Sequence, residues 1–135
     1  IISEINRILF GVIVHESTHI LQSKIHPDLR MEDIEKHSEL SKVGQATHLE
    51  NFELYIGRKL ETEARAAQAA AEIIFCCNPS VKKEFFHYLF LQTHVAKRTI
   101  DSIGDQSSSC QKIKDWWKDT EDMAFDFYQK YQKYI

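Results

Sequence analysis

Apolar and polar positions along this chain recur at helical rather than alternating spacing. The first stretch, from about Ser3 to Ile25, is dense in Ile, Leu, Val and Phe. It ends at His26-Pro27, because the residue before a proline is driven out of helical backbone. A short helix is expected from about Asp28 to Leu40. Thr47-His48-Leu49-Glu50 has the form of a capping box, a Thr followed three residues later by Glu, and opens a helix that stops at about Phe75, ahead of Asn78-Pro79. Ser80 is placed to cap a fourth helix that continues to about Ile103 and closes at Gly104. Beyond the polar run 105–109, a last helix spans about Cys110 to Tyr134, with Trp116, Met123, Phe127 and Tyr131 along its buried side. No segment alternates as a strand does, and no repeat is visible. The expectation is an all-α fold of about five helices, one bundle-like domain over residues 1–135, with room for further sequence upstream of Ile1.

Length and composition narrow the function classes. At 135 residues the chain is long enough to bury a core without disulfide staples. A hydrophobic content of 43% beside 27% charged residues is that of a globular protein. The formal net charge of −3 gives no polyelectrolyte signal, so no nucleic-acid partner is expected. The longest uncharged apolar run, Ile8 to Val14, is far short of a membrane span, and no membrane partner is expected either. Cys76, Cys77 and Cys110 are odd in number and lack CxxC spacing. They read as buried reduced thiols in a reducing compartment, the cytoplasm, rather than as disulfides or a structural zinc site.

The chemistry is concentrated in His15-Glu16-Ser17-Thr18-His19, an HExxH motif. Residues four apart share one face of a helix, so His15 and His19 can offer two imidazole nitrogens to one metal ion. Glu16 follows the first ligand and is set beside a metal-bound water, where it can act as general base. Ser17 and Thr18 are small and do not break the turn, and the flanking apolar residues predict that this helix is buried.

Catalytic zinc sites use three protein ligands. The position six residues beyond His19 is Ile25, and His26 is one residue out of register. His37 and His48 stand in no motif. The stronger source is Leu60-Glu61-Thr62-Glu63-Ala64-Arg65, where two acids lie mid-helix among alanines small enough to let another helix approach closely. A helical wheel puts Leu60, Ala64, Ala67, Ala71 and Ile74 on a buried stripe, with Glu63 nearer its centre than Glu61. The alternative for this segment is a solvated acidic face with an i,i+4 pair from Glu61 to Arg65. Tyr55, His87 and His94 are lesser candidates for stabilising an oxyanion.

The motif on one helix and an acid on a later one resemble the gluzincin branch of zincin metallopeptidases. Their pattern joins HExxH to Glu-x-x-Ala, matched here by Glu61-Thr62-Glu63-Ala64. The next position, often Asp in that family, is Arg65. The Glu-x-Glu-Ala-Arg form is similar to small metallopeptidase-like domains of phage and mobile elements. The resemblance covers about residues 8–25 and 52–72 and implies a zincin active-site helix, Zn2+ as cofactor, and His15, His19 and one glutamate as ligands. Family spacing favours Glu61 slightly, and the wheel keeps Glu63 open. The implied function is zinc-dependent hydrolysis of a protein or peptide substrate. The alternative is a zincin-derived structural or interaction module that keeps its metal without proteolysis. Zincins align substrate along a sheet edge, which these residues do not offer, so a partner chain in a larger assembly is a further expectation.

Overall fold

The computed structural model describes residues 2–42, 58–76, 80–103 and 111–134. Among them are six helices and no strand. They are α1 (Ile2–Ile25), α2 (Pro27–Lys42), α3 (Lys59–Cys76), α4 (Lys83–Leu91), α5 (His94–Ile103) and α6 (Gln111–Gln132). The fold is all-α as the periodicity predicts, with one more helix than expected.

The extra helix comes from a break where continuity was predicted. Residues 80–103 are two helices, because the Gln92 and Thr93 amides turn back onto the Leu89 and Phe90 carbonyls. The Thr93 hydroxyl then accepts the Ala96 N–H at 3.1 Å, a side-chain cap that starts α5 afresh. The Glu72 carboxylate of α3 accepts the next two free amides, His94 N–H at 2.8 Å and Val95 N–H at 3.3 Å. Ser80 is not the cap of the helix before the break. α4 begins at Lys83, with extended Lys82 before it and no side-chain cap. The Thr47 capping box lies outside the described residues, as do His48, Tyr55, Cys77 and Cys110.

α3 is the central element and packs chiefly against α1 on one side and α6 on the other. Its alanines make this arrangement feasible. Ala64, Ala66, Ala67, Ala69, Ala70 and Ala71 are all buried, so neighbouring backbones can approach from several directions. On the α6 side lies the apolar core, where Ala66, Ala69, Ala70 and Ile73 meet Phe86 and Phe90 of α4, Val95 and Ala96 of α5, and Ala124 and Tyr128 of α6. Phe86 is the hub of its aromatic packing, with ring centroids 5.0 Å from Phe125 and 5.2 Å from Tyr128. The one polar atom of Tyr128 is satisfied, because its hydroxyl accepts the Val81 N–H at 3.1 Å.

Three expectations about burial are corrected. The buried line of α6 is Ile113, Trp116, Thr120, Ala124 and Tyr128, and Met123, Phe127 and Tyr131 lie at its margin. Cys76 is exposed rather than buried. The apolar flanks of the HExxH motif are not a buried helix. Leu9, Val12, Ile13, Ile20, Leu21 and Ile25 are exposed, and α1 buries only Gly11, His19 and Gln22. The reason is geometric: α1 carries apolar residues on every face, but among the described residues it is covered mainly by α3, along one line.

Candidate metal centre

That line is polar, and it holds the motif. Gly11, His15, His19 and Gln22 recur at four- and three-residue steps and so share one face of α1. Opposite them on α3 stand Glu61, Arg65, Gln68 and Glu72, with the same spacing. The helices run antiparallel. Gly11 and Arg7 meet the Glu72 end of α3, while His19 and Gln22 meet the Glu61 end. Gly11 sets the separation. A Cβ there would lie 3.1 Å from the Cγ atoms of both Gln68 and Glu72, closer than packed atoms tolerate without shifting.

One turn along, the two histidines converge on one carboxylate. His15 Nε2 lies 3.2 Å from Glu61 Oε1, and His19 Nε2 lies 2.8 Å from Glu61 Oε2. The imidazoles meet edge to face, with centroids 4.8 Å apart. One ligand atom from each of His15, His19 and Glu61 can be chosen so that all lie within 4.8 Å of one another, a group able to hold a metal ion. Glu63 is not in this group. It is half-buried and receives a long 3.4 Å contact from the Gln22 amide. The wheel favoured Glu63 because it assumed one buried stripe. α3 is buried almost all round, and the face that meets α1 is the Glu61 face.

Gln22 decides the state of His19. Its Nε2 donates to the Leu60 carbonyl at 2.9 Å, so its Oε1 is the atom turned toward the ring. His19 Nδ1–H therefore donates to Gln22 Oε1 at 2.8 Å. Nε2 is then the ring nitrogen turned to Glu61, and an Nε2 held by an Nδ1 hydrogen bond is how metal-binding histidines are oriented. His15 has no such support, because its Nδ1 is buried without a hydrogen-bond partner. The sequence reading missed Gln22. Its spacing, three residues after the second histidine, was the available signal.

Glu61 is the electrostatic centre. Burial alone would raise its pKa. The His15 hydrogen bond and charge, reinforced by Arg58 and His19, outweigh burial and bring it down from 4.5 to about 2. Arg58 and Arg65 each place a nitrogen 3.5 Å from the carboxylate. Arg58 is itself balanced by buried Asp33 of α2 at 3.1 Å, which Arg30 also reaches at 3.0 Å.

A cleft of about 360 Å3 opens beside the cluster, and His15, Glu16, Glu61, Arg65, His94 and Arg98 are among the residues that line it. Of these, Glu16 is exposed. Burial and the like charge of Arg98 both lower the Arg65 guanidinium pKa. Among the described side chains, no other histidine joins the cluster. His26 is exposed between α1 and α2, His37 falls within α2, and His87 pairs with Glu121 across α4 and α6. No protein-family model matches the chain, and neither a curated protein nor a solved structure matches it. No helix among the described residues is long and apolar enough to cross a membrane.

Proposed function

We propose that the chain is a zinc-dependent hydrolase of peptide bonds, with His15, His19 and Glu61 holding the metal and Glu16 acting as general base. The observation that carries this reading is the convergence of the His15, His19 and Glu61 donors across the α1–α3 seam. Two imidazoles and one carboxylate suit zinc, and tetrahedral bonds of about 2.0–2.1 Å put neighbouring donors roughly 3.3 Å apart. The two imidazoles meet different oxygens of Glu61, at 3.2 Å and 2.8 Å, and one donor atom from each of the three residues lies within 4.8 Å of the others, so the donors draw in toward that edge length when an ion binds. Zinc supplies Lewis acidity and a nucleophile at neutral pH. The chain's own groups do the rest. Gln22 fixes the His19 ring, Arg58 helps keep Glu61 ionised, and Glu16 moves a proton in the cleft.

The rival reading is a module that keeps metal without turnover. It draws support from the two arginines beside Glu61, which satisfy that carboxylate without any ion. Metal content and turnover together separate the two. The wild-type chain is expected to bind about one zinc ion, and His15→Ala to lose it. Glu16→Gln keeps zinc and fold but cleaves an unstructured protein substrate roughly a hundredfold more slowly. Zinc retained in His15→Ala removes the site. Turnover surviving in Glu16→Gln removes the catalytic assignment, and zinc binding with no turnover in the wild type favours the module.

A further inference from the structure

α2 reaches the metal cluster through one guanidinium. Arg58 is buried directly before α3, and its backbone is pinned there. Its carbonyl accepts both the N–H and the hydroxyl of Thr62, at 3.0 Å and 3.1 Å. Its Nη2 stands between two carboxylates. It donates to Oδ2 of buried Asp33 on α2 at 3.1 Å, and it lies 3.5 Å from Oε2 of Glu61. That Glu61 oxygen is the one His19 Nε2 meets at 2.8 Å. Arg30 donates to the same Asp33 oxygen at 3.0 Å from within α2.

A guanidinium and a metal ion make the same demand on Glu61. Each is a cation that takes a carboxylate lone pair, and a cation beside a carboxylate weakens its hold on a second one. Arg58 is thus a competitor for Oε2. Its 3.5 Å approach to Glu61 is at the edge of hydrogen-bond reach, whereas its 3.1 Å contact with Asp33 is a hydrogen bond.

We propose that Asp33 is a positioning residue of the metal centre: by holding the Arg58 guanidinium, it keeps Glu61 Oε2 open to the ion. This rests on the metal reading of His15, His19 and Glu61 above. Without the Asp33 carboxylate, Nη2 is released from that bond with the Glu61 oxygen already close. A shift of about 0.6 Å completes a charge-assisted bond of about 2.9 Å to it. Because α3 pins the Arg58 backbone, the choice between the two carboxylates belongs to the side chain. The two partners of one ion pair therefore act in opposite directions. Removing Asp33 weakens metal binding, and removing Arg58 relieves the competition. A pair that only fastened α2 to α3 would give losses of the same sign.

The test measures zinc affinity at neutral pH by competition with a chromophoric chelator, with helical content followed by circular dichroism. Asp33→Asn is expected to bind zinc roughly ten- to a hundredfold more weakly than the wild type, the range for residues that orient metal ligands. Arg58→Met is expected to bind at least as tightly as the wild type. Arg30 still pairs with Asp33 in that variant, so the buried carboxylate is not stranded. The double variant is expected to recover most of what Asp33→Asn loses. Wild-type affinity in Asp33→Asn overturns the proposal. Weaker binding by Arg58→Met overturns it too, because the pair then serves only to hold the helices together. If Asp33→Asn does not fold, Arg58→Met decides alone: affinity at or above wild type supports the competition, and weaker binding overturns it. A wild type that binds no zinc removes the metal reading and this proposal with it. Zinc bound equally by the wild type and all three variants removes the proposal alone.

Discussion

The two long sides of α3 differ as much as two sides of one helix can. Toward α4, α5 and α6 it presents alanines and Ile73 to an aromatic core, where the Tyr128 hydroxyl is satisfied by the Val81 N–H. Toward α1 it presents Glu61, Arg65, Gln68 and Glu72, with ionisable groups held across the seam by Arg7, His15 and His19. The first side stabilises through the removal of apolar area from water. The second is a poor source of stability, because taking charges out of water costs several kcal/mol per ion and pairing only offsets it. The aromatic side supplies the stability that lets the other side stay charged.

The largest expected effect breaks the apolar side. Phe86 is 1% exposed, and Phe86→Ala should cost about 3–5 kcal/mol in chemical denaturation, the range for emptying an aromatic site. Zinc stoichiometry of the fraction that remains folded should be unchanged. A parallel loss of zinc in that fraction would show that the two sides are not separable.

On the other side, Glu61→Gln removes the one carboxylate that four cationic or ionisable groups share, and about 3 kcal/mol of stability is expected to go with it. Its pH signature is specific. The Glu61 pKa is depressed to about 2, so its contribution is fully present above about 4.5 and is lost as pH falls toward about 2. In chelator, the wild type should lose stability through that window and Glu61→Gln should be flatter. Identical acid unfolding curves would remove Glu61 from the centre of the seam.

The smallest effect sharpens the comparison, because Glu72 works in the opposite sense. Burial raises its pKa despite the His94 and Val95 amides and Arg7. Its ionised form therefore costs stability, and that cost is released as pH falls from neutral toward the ordinary carboxylate range. Glu72→Gln keeps an acceptor for α5 and should change neutral-pH stability by under about 1 kcal/mol. The stability advantage of wild type over the variant should grow on mild acidification. An advantage that shrinks instead would mean that Glu72 is held as a paired anion, like Glu61.

What could be read from the residues was set by local rules. Helical periodicity, the proline that ends α1 and the four-residue step from His15 to His19 depend on backbone geometry within a few turns, and the structure has the helices accordingly. The break at Thr93 was missed because the acceptor for the freed amides, Glu72, is on another helix. Burial of α1 was misjudged for a related reason: apolar residues identify a helix, but which of them are covered depends on how many neighbours it has. The sequence alone therefore determined an all-helical chain with two histidines on one face and acids on a later helix. The tertiary structure decided that Glu61 rather than Glu63 meets them, that Gln22 orients His19, and that Arg65 and Arg98 share their cleft. Those are choices among faces of helices far apart in sequence. Close packing at Gly11 makes them, and no periodicity within a single helix carries that information.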